Sequence, residues 1–478
     1  MNNLFLVQLS LLVLFTLTGC TANTQHNMAD DDEIYNNHVI SAEERSDAIH
    51  ADDQVAPETV IETVEETPPE EKSELTLIKE IFLNSFGLFD LLPDDFDVNE
   101  LYLEHRAMYE NAVTLAERYI VLQNFVWHFG DGHSGVRFPQ SLTRYYSPIQ
   151  ARYIDGMIVV IGSDSGSTKL LPGDVIVSIN DMEALDYLQT YHYQLSHPQP
   201  YLAGTYRLVG RFFLSDVTSR EVRVVARTPG GEFVSDTLIY VSTQPYFDRV
   251  LPNRNYRNLN DYPEFQFSTF YAQKHENNIL RIRVDSFSNE NFPSELRGFL
   301  TSEDFSGDSV VIDARGHSGG NDLNGLALLS HFIDLNLLNH NTNIARSGGH
   351  YSMGTNVWGQ FWMQTTNNGS AGLFHVPVVI LTDHRSGSAG ENFVSAAKGI
   401  DRFTIIGTTT AGVTGQLAFH DLPSGGLLFL TTLRAITSEG YDISRRGITP
   451  DIWVEQSFTD LLAGIDTQLK AAIIYLMN

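Results

Sequence analysis

The chain contains the segment Val376-Pro-Val-Val-Ile-Leu-Thr382, followed by Asp383-His-Arg-Ser-Gly-Ser388-Ala-Gly-Glu391-Asn-Phe393. The β-branched and apolar residues before Asp383 predict a short buried strand. A turn rich in serine and glycine comes next, and the residues from Glu391 to Lys398 have the composition of a helix. Ser388 is therefore predicted to lie where a strand gives way to the N-terminus of a helix.

A serine at such a junction has two interpretations. Unpaired backbone N–H groups and the helix dipole favour a developing negative charge there, which suits the nucleophile of an acyl transfer. Alternatively, Ser386 or Ser388 caps the helix through its hydroxyl, which is the commoner role of a lone serine in this position. The other segments of the chain favour the nucleophile.

A second strand and turn supply the expected partners of Ser388. Ser309-Val-Val-Ile-Asp313 predicts a buried strand, and a glycine turn follows it before an apolar helical pattern from Leu323 to Ile333. Paired glycines let backbone N–H groups approach a bound carbonyl closely. The predicted oxyanion hole consists of the N–H of Ala389 together with that of Gly319 or Gly320.

A glycine-flanked histidine lies upstream, in Phe129-Gly-Asp-Gly-His133-Ser-Gly135. With the preceding blocks and Gly447-Ile-Thr-Pro-Asp451, this order resembles peptidase family S41, the C-terminal processing and tricorn-core-like serine peptidases, over roughly residues 75 to 460. The resemblance implies an α/β fold: a crotonase/ClpP-like peptidase core with an N-terminal helical region and an inserted β-rich PDZ-like domain.

The base that activates Ser388 follows from the branch of the family. Processing peptidases of the Ser/Lys type carry a lysine in a Phe-Gly-Lys motif, whereas this chain reads Ala411-Gly-Val413 at that place. Lys398 is ten residues along the predicted helix, about 15 Å away from Ser388 along the axis. The resemblance is closer to the tricorn-like branch and implies that His133 takes the serine proton. An imidazole, with a pKa near ~6.5, suits that task at neutral pH.

The remaining site residues have alternatives. The resemblance implies an acid that orients His133, with Glu439 as first choice and Asp442 as second. His317 is either a rival base or a ring whose hydrogen bond holds the oxyanion loop. Asp313 and Arg315 are expected to form an ion pair that holds the end of the strand.

Other classes of enzyme fit the sequence poorly. An α/β-hydrolase has its serine, acid and histidine in that order, whereas His133 precedes Ser388. The chain has one cysteine and no His-Glu-x-x-His motif, so we expect no metal and no cofactor. Its 59 acidic and 30 basic residues give a formal net charge of −29, which disfavours nucleic acid as a partner.

The N-terminus predicts where the protein works. Leu4 to Leu17 is apolar and ends in Leu17-Thr-Gly-Cys20, which resembles the lipobox of bacterial lipoproteins. The resemblance implies a signal peptide at 1–19 and lipidation of Cys20; the alternative is a plain signal peptide with an incidental cysteine. Thr21 resembles lipoproteins that are passed to the outer membrane, so the prediction is a lipid-anchored protein of the cell envelope that faces the periplasm, given a Gram-negative envelope.

Composition and pattern divide the rest of the chain. Residues 20–74 are rich in acids and poor in large apolar side chains, which predicts a disordered tether. Apolar spacings over 75–140, notably from Glu104 to Val126, predict a helical region. Residues 141–243 are β-rich, and Gly173-Asp-Val-Ile within them resembles a PDZ domain, which either binds peptides by strand addition or serves as a lid or spacer. A connector (244–270) and an α/β peptidase core (271–478) follow.

The sequence thus predicts a membrane-anchored serine peptidase that cleaves peptides or unfolded proteins outside the cytoplasm. The rival prediction is a catalytically silent protein on the same scaffold that binds a ligand or peptide, as retinoid-binding relatives of the family do.

Overall fold

The described chain contains both helices and strands in this computed structural model of the protein. The structure describes residues 72–192, 205, 209–210, 212–213, 215–216, 221–251, 265–275, 277–302, 304–305, 307–334, 342–345, 359–362 and 374–478. The helices are α1 (Glu74–Ser85), α2 (Val98–Asn111), α3 (Leu115–Trp127), α4 (Ala184–His192), α5 (Phe292–Leu300), α6 (Asp322–Ser330), α7 (Ala389–Ala397), α8 (Phe458–Leu462) and α9 (Thr467–Met477), with a 3-10 turn at Phe89–Leu91.

The strands are short. Those of the first half of the chain are β1 (Gly135–Arg137), β2 (Tyr145–Tyr146), β3 (Ile149–Ile154), β4 (Met157–Ser163), β5 (Val175–Ile179), β6 (Met182–Glu183), β7 (Ser215–Asp216), β8 (Glu221–Arg227) and β9 (Phe233–Ile239). Those that follow are β10 (Arg249–Val250), β11 (Phe265–Gln266), β12 (Tyr271–His275), β13 (Ile279–Arg283), β14 (Ser309–Asp313), β15 (Thr342–Ala345), β16 (Gly359–Trp362), β17 (Val378–Thr382), β18 (Phe403–Gly407), β19 (Leu417–Asp421), β20 (Leu427–Thr431), β21 (Leu433–Ile436) and β22 (Ile452–Trp453).

Several predicted segments lie outside the described residues. These are the signal peptide (1–19), the tether (20–74) up to residue 71, and the part of the connector from 252 to 264. None of the helices that the structure describes is long and apolar enough to cross a membrane.

The predicted α/β fold is confirmed by a mixed sheet of seven strands in the order β11-β12-β13-β14-β17-β18-β22. The strands from β13 to β22 run parallel, and every residue of β13, β14 and β17 is buried, as expected for a sheet covered on both faces. Because β14 and β17 are neighbours and Asp313 pairs with Leu381, their carboxyl ends meet at one edge. The glycine turn after β14 and the serine turn after β17 therefore lie side by side.

The N-terminal helices pack on a separate three-stranded sheet, β1-β20-β19. Their shared core, which we call the N-terminal core, joins Phe82, Phe86 and Phe129 to Leu428 and Leu430 of β20. The pattern from Glu104 to Val126 predicted helix throughout, but the structure divides it between α2 and α3. The reason is local: Thr114 and Glu117 form a capping box that starts a new helix.

The middle of the chain forms its own sheet, β10-β4-β5-β8-β9, with β3 paired to β4 and β6 paired to β5. Ile149, Leu188 and Phe212 belong to its core, which is separate from the cores of the other sheets. The predicted richness in strands is present, and the PDZ-like assignment stays a prediction.

A buried network of charges ties the C-terminal helix to the central sheet. The carboxylate of Asp313 accepts hydrogen bonds from three buried guanidinium groups, those of Arg281 (2.6 Å), Arg283 (3.1 Å) and Arg315 (2.7 Å). Arg315 also donates to Asp466, the N-cap of α9, at 2.7 Å. Burial alone would raise the pKa of Asp313, but the guanidinium groups hold it well below its usual value. The predicted pair of Asp313 and Arg315 is therefore one part of a larger network.

Removal of Asp466 tests this network. Asp466→Ala should lower the free energy of unfolding by about 3–5 kcal/mol, because it leaves the buried Arg315 short of negative charge. In the folded protein Arg315 lowers the pKa of Asp466 against the opposing effect of burial, so this stabilisation should be present above pH ~4 and lost as the pH falls through the lowered value. Urea unfolding of both proteins would measure the loss.

Glu110→Ala is the matched control, because Glu110 contacts Arg106 at a similar distance, 2.6 Å, with side chains 58% and 55% exposed. That change should cost at most about 1 kcal/mol. Equal losses for the two variants would contradict the role given to the buried network.

Candidate active site

Ser388 lies at the N-cap position of α7 in a strained backbone conformation. Its φ of 56° and ψ of −127° fall in a region that residues other than glycine rarely adopt, at a typical cost of about 1–3 kcal/mol. Its side chain makes no capping hydrogen bond to the helix. Its own N–H donates to the carbonyl of Val413 at 2.6 Å. The capping interpretation therefore does not apply to Ser388, whose hydroxyl is left for another use.

The neighbouring Ser386 has a structural role instead. Its buried hydroxyl donates to the carbonyl of Ala314 at 2.8 Å and accepts the N–H of Asp383 at 3.1 Å. It therefore joins the turn after β17 to the turn after β14. Among the described residues, the hydroxyl of Ser386 thus joins two turns, whereas the hydroxyl of Ser388 at the helix terminus makes no capping hydrogen bond.

The glycine pair lies directly against Ser388. Gly319 has a φ of 101°, and a Cβ at this position would be 2.6 Å from the Cβ of Ser388 and 3.0 Å from its Oγ. Gly320 has a φ of 128°, and a Cβ there would be 2.4 Å from the carbonyl carbon of Phe287. Only glycine fits both positions, because any side chain would clash with the backbone or with the serine.

The structure distinguishes the backbone donors that were predicted for the oxyanion hole. The N–H of Gly319 is already used, since it donates to Nδ1 of His317 at 3.1 Å. Within the described part of the chain, the N–H groups of Gly320 and Ala389 have no acceptor. Of the two glycines offered by the sequence, Gly320 is therefore the better partner for Ala389.

His317 holds the glycine turn in place. It is fully buried, and burial lowers its pKa to about 3, so the ring is neutral at physiological pH. Because Nδ1 accepts the N–H of Gly319, the ring proton resides on Nε2. A Cβ on Gly390, in the first turn of α7, would be 2.6 Å from Nδ1. This geometry matches the second interpretation of His317, a ring that supports the oxyanion loop.

Glu391 fixes the loop beside Ser388, a role that its position in the sequence did not predict. Its carboxylate is completely buried and accepts hydrogen bonds from three groups of one loop: Thr410 Oγ1 (2.5 Å), Gly412 N (2.7 Å) and Val413 N (2.7 Å). The loop that Glu391 fixes contains the carbonyl acceptor of the Ser388 N–H. The available signal was the spacing Ser388-Ala-Gly-Glu391, which has the form of a capping box but serves a different contact.

His133 lies in the buried loop between α3 and β1. The carboxylate of Asp131 fixes this loop by accepting the backbone N–H of His133 (3.0 Å), the hydroxyl of Ser134 (2.5 Å) and the hydroxyl of Thr431 (2.6 Å). Thr431 ends β20, and its N–H donates to Ser134 Oγ at 3.0 Å. The loop of His133 is therefore attached to the C-terminal part of the chain.

A short path connects that loop to Ser388. A Cβ on Gly415 would be 2.9 Å from Cγ2 of Thr431, and Gly415 is two residues beyond Val413, whose carbonyl accepts the Ser388 N–H. Ser388 thus contacts the segment from Val413 to Gly415 directly, and the loop of His133 contacts it through Thr431. The transfer of a proton between Ser388 and His133 stays a prediction.

The two candidate acids occupy different surroundings. Glu439 is exposed in the turn that follows β21, where water competes for its carboxylate. Asp442 is buried and accepts hydrogen bonds from Arg434 at 2.6 and 3.0 Å. Asp131, two residues before His133 and bonded to its backbone, is a third candidate that the sequence analysis missed. The assignment of Glu439 stays a prediction.

No group of three or more His, Cys, Asp or Glu side chains among the described residues could hold a metal ion.

Comparison with known proteins identifies the segment that carries this geometry. Residues 278–454 match peptidase family S41. A carboxyl-terminal-processing protease of Synechocystis sp. is 26% identical over 195 residues, which cover 40% of this chain and 42% of that protein. The carboxy-terminal processing protease CtpA of Bacillus subtilis is 26% identical over 197 residues, which cover 39% of this chain and 37% of CtpA. The chain thus spans less than half the length of either relative.

Solved structures agree over a longer range. The structure of mature CPAF complexed with lactacystin gives a TM-score of 0.64 at 15% identity and covers 84% of this chain and 96% of that chain. A crystal structure of mature CPAF gives the same TM-score and covers 84% of this chain and 95% of that chain. At 15% identity, the likeness to these structures shows the fold alone. On these matches, the chain contains a peptidase family S41 domain, in residues 278–454.

Proposed function

We propose that this protein is a serine peptidase that hydrolyses peptide bonds, with Ser388 as its nucleophile. The observation that carries the proposal is the strained turn at Ser388: its hydroxyl makes no helix cap, and a Cβ on Gly319 would be 3.0 Å from its Oγ. Ala389 follows Ser388 directly and Gly320 follows Gly319, and within the described residues the backbone N–H of each has no acceptor. Hydroxyl, helix terminus and backbone donors together are what acyl transfer requires.

The mechanism assigns one step to each group. His133 takes the proton from Ser388 Oγ as the oxygen attacks the scissile carbonyl, and the oxyanion forms beside the N–H groups of Gly320 and Ala389. His133 then gives this proton to the leaving amine as the peptide bond breaks, and an acyl-enzyme remains. Water, with His133 again as the base, hydrolyses the acyl-enzyme and restores Ser388. Glu439, with Asp442 as the alternative, stabilises the imidazolium during both steps.

The proposed substrates are peptides or unfolded proteins outside the cytoplasm. The two curated relatives are named for carboxyl-terminal processing, which supports peptide bonds as the target. The match covers less than half of those relatives. We therefore propose peptides and unfolded proteins in general as substrates, and not carboxyl-terminal segments alone.

The rival proposal, a silent binding protein on the same scaffold, is less well supported by Ser388 itself. A strained backbone persists where function requires it, since relaxation of the turn would stabilise the protein. The combination of a φ of 56° with a ψ of −127° at Ser388 is such a strained conformation, which favours the enzyme.

We further propose that lipid on Cys20 anchors the protein in the cell envelope. The lipobox-like Leu17-Thr-Gly-Cys20 and the acidic segment after it support this arrangement. Firm anchoring requires more than one acyl chain, and the lipobox resemblance implies several.

Ser388→Ala should reduce hydrolysis of unfolded casein at least about 10³-fold, because it removes the nucleophile. Its free energy of unfolding should stay within about 1 kcal/mol of the wild-type value, since no capping bond is lost. Steady-state assays and urea unfolding would measure both quantities.

Ser386→Ala is the matched control for Ser388→Ala. It removes a buried hydrogen bond and should cost about 1–3 kcal/mol of stability, yet the folded variant should hydrolyse casein. Full turnover by Ser388→Ala would exclude Ser388 from the mechanism.

The pH profile identifies the base. The value of kcat/KM should rise with pH through an apparent pKa of ~6–7, because an imidazole base has to be deprotonated before it can accept the serine proton. His317, whose pKa is about 3, remains neutral across that range. His133→Ala should therefore abolish the dependence and most of the rate, whereas His317→Ala should lower the rate and keep the midpoint. The reverse pattern would transfer the role of base to His317.

Anchoring is tested by Cys20→Ser expressed in a Gram-negative bacterium. The variant should accumulate as an unprocessed precursor without lipid, because a serine cannot form the thioether of a lipoprotein. Incorporation of labelled palmitate and N-terminal analysis of the mature protein would show the difference. A mature N-terminus other than Cys20, or processing that globomycin leaves unaffected, would contradict the anchor and leave the peptidase proposal intact.

A further inference from the structure

Arg445 is a buried arginine with a left-handed backbone that connects two parts of the site. Its φ is 65°, and only 3% of its surface is exposed. It lies between Ile443 and Ile448, which belong to the core of the central sheet, the same core that contains Ala389 and Phe393 of α7. The backbone of Arg445 is thus built into the half of the molecule that carries Ser388.

The backbone N–H of Arg445 contacts the loop that Glu391 fixes. It donates to the carbonyl of Gly412 at 2.8 Å. The fit is close, because a Cβ on Gly412 would be 2.8 Å from the carbonyl carbon of Arg445. The next carbonyl along, that of Val413, accepts the N–H of Ser388 at 2.6 Å. Arg445 therefore binds Gly412, the residue next to Val413, whose carbonyl holds Ser388.

The guanidinium group of Arg445 reaches the other half of the molecule. Nη1 donates to the carbonyl of Leu91 at 2.8 Å, and Nη2 donates to the carbonyl of Phe129. Phe129 is fully buried in the N-terminal core and precedes His133 by four residues. The side chain thus fixes the backbone at the start of the loop that carries His133.

Carboxylates near the His133 loop balance the positive charge of Arg445. Burial lowers the pKa of Arg445, and the carboxylates of Asp131, Asp442 and Asp90 oppose this shift. Asp131 is the residue that binds the backbone of His133. Two carbonyl acceptors at different positions suit the fork of a guanidinium group, whereas a lysine ammonium presents its donors from a single point.

Ala389, next to Ser388, and Phe129, four residues before His133, belong to different cores. The separation of Ser388 and His133 therefore depends on the contacts that join those cores. We propose that Arg445 is a positioning residue that sets the separation of the His133 loop and the Ser388 turn, through its bonds to Phe129 and Gly412. This inference rests on the proposed function. A misplacement of reacting groups by about 1 Å can cost about 10²-fold in rate, which is the effect expected when the link is lost.

Arg445→Met tests the proposal, because methionine retains an apolar stem and removes the guanidinium donors. At a temperature where the variant is folded, kcat for casein hydrolysis should fall about 10²-fold while KM changes less than about threefold. Amide hydrogen exchange should accelerate in residues 129–134 and remain unchanged in β14. Arg445→Lys, which keeps the charge and one donor group, should recover part of kcat.

Arg446→Met is the matched control. Arg446 is the adjacent residue, is exposed, and has its guanidinium 5.8 Å from the ring centre of Tyr441. Its variant loses the same charge and should retain wild-type kcat, KM and exchange rates. If Arg445→Met fails to fold, Arg445→Lys is compared with the wild-type protein instead. A reduced kcat at unchanged KM would then support the positioning role of Arg445.

Three results would overturn the inference: a kcat per folded molecule equal to that of wild type, a rise in KM without a fall in kcat, or unchanged exchange in residues 129–134. Failure of the proposed function gives a different pattern. In that case the wild-type protein itself hydrolyses no casein, and the exchange measurement alone supports or overturns the link between Arg445 and the His133 loop.

Discussion

The carboxylate of Glu391 is the contact on which the site depends. It is buried in the first turn of α7 and accepts the N–H groups of Gly412 and Val413, each at 2.7 Å. In the loop held in this way, the carbonyl of Val413 accepts the N–H of Ser388, and the carbonyl of Gly412 accepts the N–H of Arg445. A buried carboxylate with all of its partners in place is rigid, and its loss would leave unsatisfied polar groups. One buried side chain thus fixes both the loop that binds Ser388 and the link to Arg445.

Close packing around Ser388 comes at the expense of stability. Ser388 adopts a φ of 56°, and Gly319 approaches it so closely that a methyl group could not be accommodated. The neutral His317 fixes the glycine turn from within the protein, and its ring is kept neutral by burial. The backbone of Ser388 is thus strained, while the glycine turn beside it is held rigidly. Electrostatic preorganisation requires such an arrangement.

Local patterns predicted the parts of the site that depend on neighbouring residues. The strand, turn and helix around Ser388 and the need for glycine at Gly319 and Gly320 were recognisable, because strand and turn signals act over a few positions. The roles of Glu391 and Arg445 were not, because their partners are remote: Glu391 contacts Gly412, 21 positions away, and Arg445 contacts Phe129, 316 positions away. The exposure of Glu439 likewise depends on how β21 and the following turn pack, which no local pattern records.

A fluorophosphonate probe followed by mass spectrometry tests directly whether Ser388 is the nucleophile. Trypsin cleaves after Arg385 and Lys398, so the peptide 386–398 contains Ser386, Ser388 and Ser395. Fragmentation of that peptide locates the modified oxygen. We expect a single phosphonyl group on Ser388, and none after prior heat denaturation. Modification of another serine, or no modification of a folded protein that hydrolyses casein, would contradict it.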